Sequence, residues 1–373
     1  MKKLLSTLGI ITVLVLGIAI SLVITQDVRL SIENYVMNDL IQGPEEPVNK
    51  KIENKELKPS KTKQVKSDPT KSMEATEEER NEKALEEMTE DSIDAIETIL
   101  NIKNPSIAVD AASAILLDDS GKVLFFKNPT ETIYPASTTK LLTALVALDV
   151  CELDDQITIG NEIEYIEEDS SQANLEEGQK LTLQMLLEGM LLPSGNDAAY
   201  SIATFIGRIS LDNRTANNKD AIQEFVRLMN EKVKELGLRD TCFKNPDGYD
   251  EEGHYTTAYD MGIIAVAALL NKDIREITGK SKTRNIFLSG EDVTWYSTNK
   301  LISSGSGQYY RHAIGLKTGS SSLAGSCLIS AAQKDDQAYI SVVMNSTDDG
   351  RWEDSIDLLR YGIEGEEEAN IEQ

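Results

Sequence analysis

Histidine occurs only twice, at positions 254 and 312, and no H-E-x-x-H is present. Zinc held on imidazoles is therefore not expected, and we assign no metal or other cofactor. Cysteine occurs three times, as Cys151, Cys242 and Cys327, without C-x-x-C spacing. An odd count leaves at least one thiol unpaired within the chain, while a bridge between two of them stays open. Basic residues are short as well, 37 against 63 acidic, for a net charge of -26. A phosphate backbone would be repelled by that field, which excludes a nucleic-acid partner. An acidic enzyme acting on a neutral or zwitterionic substrate is compatible with it. No internal repeat is visible.

What is present begins with a membrane signal. Lys2 and Lys3 precede an uncharged run over residues 4–24. As a helix it would be about 31 Å long at roughly 1.5 Å per residue, enough to cross a bilayer with the lysines on the cytoplasmic side. We read residues 1–26 as an anchor or signal peptide. Small residues at Gly17, Ala19 and Ser21 offer cleavage sites, but the apolar run continues through Leu22, Val23 and Ile24, which favours an uncleaved transmembrane helix. The rest of the chain would then lie outside the membrane, on the cell-wall side. Residues 27–103 read as a stalk. The 43–71 stretch is rich in Lys, Glu and Pro and is expected to be disordered, whereas residues 76–100 have a helical stripe through Leu85, Met88, Ile93, Ile96 and Leu100. As random coil the stalk would reach on the order of 50 Å.

The 373-residue length allows one large domain or two ordinary ones, and 40% hydrophobic content suffices for a core. We place the folded domain at 104–363, followed by an acidic tail at 364–373. Residues 111–117 and 122–126, around Asp118-Asp119-Ser120-Gly121, predict a β-hairpin. Residues 137–150 are apolar nearly all round, which predicts a helix buried on every side. Further helices are expected at 181–192, 220–236 and 352–361, and strands at 312–319, 324–332 and 338–345. Strands at both ends of the domain with helices between them predict an α/β (α+β) fold, an antiparallel sheet flanked by helices with a helical subdomain.

Three motifs then follow one another: Ser137-Thr138-Thr139-Lys140, Ser194-Gly195-Asn196 and Lys317-Thr318-Gly319. The pattern S-x-x-K occurs three times, starting at Ser60, Ser137 and Ser297, but only the middle one is followed by both other parts. Each motif alone is bland: a helix cap, a turn, a strand end. Together they supply an acyl-transfer site. A serine hydroxyl needs a base, and a residue at i+3 on a helix shares its face, so Lys140 can reach Ser137. The amine must be neutral to act, and burial with a second cation nearby, Lys317, lowers its pKa. The helix start adds a positive field and free N–H groups for an oxyanion.

At this point the chain resembles the D-alanyl-D-alanine carboxypeptidases, the low-molecular-weight penicillin-binding proteins with a serine β-lactamase-like fold. The likeness extends through Tyr134-Pro135-Ala136 before the nucleophile and Leu191-Leu192-Pro193 before the second motif. It includes Phe243-Lys244-Asn245-Pro246-Asp247-Gly248 and His254-Tyr255-Thr256-Thr257. It covers about residues 105–363. The resemblance implies removal of the terminal D-alanine from peptidoglycan stem peptides through a Ser137 acyl-enzyme, with β-lactam antibiotics as inhibitors. It implies Lys140 as base and Ser194 as proton relay tuned by Lys317. Asn196 would hold Lys140 and the substrate amide, and the N–H groups of Ser137 and Ser320 beside Gly319 would form the oxyanion hole. Thr318 and Arg351 would bind the terminal carboxylate. His254 reads as structural, because a base is already present.

Two departures stand out. Many relatives carry a C-terminal β-domain with an amphipathic anchor, for which residues 4–24 would substitute. Ser320 stands where some relatives have histidine. The alternatives are a serine β-lactamase, a transpeptidase using an amine acceptor, and a catalytically inactive wall-binding protein. The commonest β-lactamases need a glutamate in an E-x-x-L-N context for deacylation. None follows Ser137; the pattern occurs once, over residues 97–101, ahead of the nucleophile segment. Slow release of penicillin is therefore expected.

Overall fold

In chain order the elements are β1 (Ser113–Asp118), β2 (Val123–Lys127), a 3-10 turn (Ala136–Thr139) running into α1 (Lys140–Val150), β3 (Gln156–Thr158), β4 (Lys180–Thr182), α2 (Leu183–Leu191), α3 (Asn196–Ser210), α4 (Asn218–Glu235), α5 (Ala258–Leu270), α6 (Lys272–Thr278), β5 (Lys282–Ile286), β6 (Asp292–Tyr296), β7 (Ala313–Ser321), β8 (Gly325–Lys334), β9 (Gln337–Ser346) and α7 (Gly350–Ala369). The computed structural model describes residues 104–369. The expected membrane run, the stalk and the end of the acidic tail lie outside the described residues. Among the described residues no helix is long and apolar enough to cross a membrane.

The principal sheet is antiparallel with strand order β2-β1-β9-β8-β7. The first and last strands of the domain thus lie side by side, Ala114 opposite Val343 and Ile115 opposite Val342. The β1–β2 turn closes on the Asp118 carboxylate, which accepts from the N–H groups of Ser120 and Lys122 at 3.0 Å. Successive side chains of a strand point to opposite faces. Ala114, Leu116, Leu328 and Val343 accordingly meet Trp352, Leu358 and Leu359 of α7 on one face. Ile115, Leu117, Ile329, Ile340 and Val342 meet the helical subdomain on the other. Both faces are covered, so these strands read as continuous apolar runs in place of clean alternation. β7 is an edge strand.

The core of the subdomain is α1, buried from Lys140 through Ala147. Leu141 and Leu142 are fully buried, each worth roughly 1.5–3 kcal/mol. Gly262 lets α5 sit directly on β1, because a Cβ there would stand 2.6 Å from Leu117.

Several elements differ from the sequence expectation. Leu181 pairs with Ile157 in the small β3–β4 ladder, so α2 starts only at Leu183, where the Thr182 hydroxyl caps it. α3 and α5 were not anticipated. α5 is apolar nearly all round and shows no 3.6-residue stripe, while α3 begins inside a run that reads as a turn. α7 continues past Gly362 to Ala369, interrupted at Gly365 where φ is 75°. All three cysteines are free, Cys151 and Cys327 buried.

Candidate active site

The three motifs are brought together by three bends that sequence does not advertise. Ala136, immediately before Ser137, has φ 47°; Ser194 has φ 68°; Leu316, immediately before Lys317, has φ 82°. None is glycine, and each such residue costs on the order of 1–3 kcal/mol. The packing around them keeps each in place. Gly195 N–H donates to Gly189 O at 3.0 Å and Asn196 N–H to Ser171 O at 2.8 Å, which hold the Ser194 turn.

Ser137 lies in the 3-10 turn, half-buried, and not in an α-helical first turn. In 3-10 geometry residues i and i+3 nearly eclipse. Lys140 Nζ therefore reaches Ser137 Oγ at 2.8 Å while its own backbone opens α1. The same amine donates to Asn196 Oδ1 at 2.7 Å and to the Asp247 carbonyl at 2.8 Å. Lys140 is fully buried. Burial lowers its amine to about 8, against the opposing pull of Asp247 and Asp197. The Asp247 carboxyl is itself pushed up by burial, with Lys140 opposing.

Lys317, on β7, is the second fully buried amine. It donates to Ser194 Oγ and to the Thr318 carbonyl, both at 2.9 Å. Burial first, then the Lys140 and Arg351 charges, holds it well below the ordinary lysine value. Both amines are lowered chiefly by removal from water; the Lys140 charge lowers Lys317 further, whereas burial and not Lys317 accounts for the lowering of Lys140.

β7 passes close behind the nucleophile at Gly319. A Cβ there would lie 3.2 Å from the Ser137 nitrogen, the Pro135 oxygen and the Ala136 Cβ. Arg351, at the start of α7, stacks on Trp352 at 4.7 Å and donates to Ser320 Oγ at 2.7 Å and to Gly319 O at 3.2 Å. Its Nε is buried without a partner. Thr318 lies beneath, its hydroxyl 2.6 Å from that of Thr298. Hydrogen bonds and close approaches thus bring the three motifs and Arg351 together beside β7.

Sequence reasoning missed the supports, except His254, which it read as structural. The Asp197 carboxylate accepts from Ala173 N–H at 2.8 Å and Leu175 N–H at 2.9 Å, fixing the loop that receives Asn196 N–H. Trp295 Nε1 donates to Ala173 O at 2.9 Å from the far side. An acid directly after Ser194-Gly195-Asn196 was the available signal for Asp197. Asp250 accepts from Ser321 Oγ at 2.6 Å and Leu323 N–H at 3.0 Å, joining the 245–253 loop to the β7–β8 turn. His254 accepts from Lys244 N–H on Nδ1 and faces Thr139 Oγ1 with Nε2, both at 3.1 Å. It stands behind the Ser137 turn, and burial pushes it down to about 4. Among the described residues no carboxylate is hydrogen-bonded to Ser137 Oγ.

Comparison with known proteins agrees with this geometry. Residues 100–348 match the family described as D-alanyl-D-alanine carboxypeptidase. The chain is 35% identical over 250 residues to D-alanyl-D-alanine carboxypeptidase DacF of Bacillus subtilis, covering 66% of this chain and 60% of that protein. It is 34% identical over 273 residues to the D-alanyl-D-alanine carboxypeptidase of Streptomyces sp. strain K15, covering 70% and 89%. The crystal structure of the Streptomyces K15 DD-transpeptidase superposes with a TM-score of 0.63 at 30% identity, over 70% of this chain and 99% of that one.

Proposed function

Because the chain belongs to the D-alanyl-D-alanine carboxypeptidase family, we propose that it removes the terminal D-alanine from peptidoglycan stem peptides through a Ser137 acyl-enzyme. One observation carries the reading: a fully buried Lys140 amine, lowered to about 8, lies 2.8 Å from Ser137 Oγ. In its neutral form this amine takes the serine proton as Oγ adds to the carbonyl between the last two D-alanines. Lys317 donates to Ser194 Oγ, which leaves the Ser194 proton free for the departing nitrogen. The C–N bond then breaks, and the proton held on Lys140 refills Ser194. Water, deprotonated by the same amine, hydrolyses the ester and returns Ser137. The N–H groups of Ser137 and Ser320, brought near each other by the close approach of Gly319, receive the developing oxyanion. Thr318 and Arg351 bind the terminal carboxylate, the guanidinium giving a charge-assisted contact.

β-Lactams are expected to acylate Ser137 in the same way, and among the described residues no carboxylate is hydrogen-bonded to Ser137 Oγ to speed their release as a β-lactamase's glutamate would. That argues against the β-lactamase reading. Transfer to an amine in place of water is the second reading, favoured by the K15 relative, which bears both the carboxypeptidase and the transpeptidase name. Lys2, Lys3 and the 4–24 run support a single-pass anchor, with the 27–103 stalk and the 104–363 catalytic domain on the cell-wall side.

The test is a paired assay on the purified ectodomain. A fluorescent penicillin is expected to label Ser137, and a stem-peptide mimic to release D-alanine. Ser137→Ala should abolish both; a variant that still labels and still releases D-alanine would defeat the mechanism.

A further inference from the structure

The third S-x-x-K, Ser297-Thr298-Asn299-Lys300, takes no part in the acylation set, yet it lies along β7. Asn299 is buried; its amide donates to Gly315 O at 3.1 Å and its oxygen accepts from Leu301 N–H at 3.0 Å. Thr298 N–H donates to Leu192 O at 3.0 Å, two residues before Ser194. The segment thus clamps the second motif to the edge strand that carries the third. Between those anchors the Thr298 hydroxyl meets the Thr318 hydroxyl at 2.6 Å. Lys300 Nζ lies 5.3 Å from the ring of Trp352, which Arg351 also stacks on, so the segment runs past the base of that arginine.

A hydroxyl has one proton and two lone pairs. Thr318 can give its proton to Thr298 or to a ligand, not to both. When an anionic peptide end occupies the space between Thr318 and Arg351, the short contact persists only with Thr298 as donor. We propose that Thr298 is a positioning residue of the terminal-carboxylate subsite: it donates to Thr318 Oγ1 and so turns the Thr318 proton toward the peptide's C-terminal carboxylate. The inference rests on the carboxypeptidase reading and adds a source of specificity to it. A donor held in that direction suits an acceptor-only carboxylate. A C-terminal amide offers that donor only one neutral carbonyl oxygen, a weaker acceptor than a carboxylate.

The experiment compares two peptides identical except for a C-terminal carboxylate or carboxamide, reading kcat/KM for release of the last residue. Thr298 is exposed, so Thr298→Val and Thr298→Ala leave the core untouched, and melting curves verify each variant. Both should lower the carboxylate-to-amide preference by roughly ten-fold, mainly through KM. Thr298→Ser, which keeps the hydroxyl, should stay within about two-fold of the parent. Adding Thr298→Val to Thr318→Val should cost nothing further, because the first residue acts through the second. An unchanged preference in the Val and Ala variants, an equal loss on both peptides, or full additivity would overturn the proposal. A parent enzyme that releases nothing from the carboxylate peptide would instead overturn the carboxypeptidase reading, and this inference with it.

Discussion

Acylation of this protein should follow the titration of one buried amine. Lys140 is lowered from 10.5 to about 8, chiefly by burial. The neutral fraction is then about 9% at pH 7, about 50% at pH 8 and about 91% at pH 9. The second-order rate of labelling by a fluorescent penicillin should therefore rise about ten-fold between pH 7 and pH 9 and level off above. Time courses at saturating and subsaturating probe, taken at half-unit pH steps, give the constant. Lys140→Arg puts an always-charged group in the same place and should cost on the order of 10²- to 10⁴-fold. The same shift enters stability. Between about pH 8 and 10.5 the unfolded chain binds the proton that the folded amine has lost, so the Lys140 contribution to stability rises with pH across that window. Below it the buried ammonium costs about 3 kcal/mol. A labelling rate that is flat from pH 6.5 to 9.5, or a Lys140→Arg variant of near-parental rate, would refute the reasoning.

Two other outcomes follow from distances at the site. Gly319→Ala places a methyl 3.2 Å from Ser137 N and Pro135 O, so β7 must give by a few tenths of an ångström. Acylation should slow by roughly ten-fold with the melting temperature nearly unchanged, measured by penicillin labelling and calorimetry on the same sample. His254 is held neutral, its pKa pushed from 6.5 to about 4 mainly by burial. The unfolded chain binds the extra proton between those values, so the contribution is complete above pH 6.5 and is lost as pH falls toward 4. Denaturant titrations should show the difference between parent and His254→Gln shrinking by about 3 kcal/mol from pH 7 to pH 4; a constant difference would show that the imidazole does not titrate there.

The residue types and their order were enough to specify the reaction class. Ser137, Lys140, Ser194, Asn196, Lys317 and Arg351 were legible because acyl transfer needs a nucleophile, a base, a relay and an anion-binding cation. The β1–β2 hairpin and the three closing strands were legible because turn chemistry and apolar runs are local signals. The sheet of joined ends followed from their order. The start of α2 was displaced because Leu181 finds a ladder partner, Ile157, far from it in sequence. α5 escaped because a helix that is apolar nearly all round loses the polar face that periodicity detects, and α3 because it begins inside a run that reads as a turn. Only the tertiary structure decided that Ala136, Ser194 and Leu316 adopt left-handed backbone, since the isolated residues disfavour it and the surrounding packing enforces it. It alone joined Asp197 to the 173–175 loop and Thr298 to Thr318, and it alone lowered two lysines by enclosing them. Desolvation and long-range hydrogen bonding depend on neighbours in space, and neighbours in space are what folding creates.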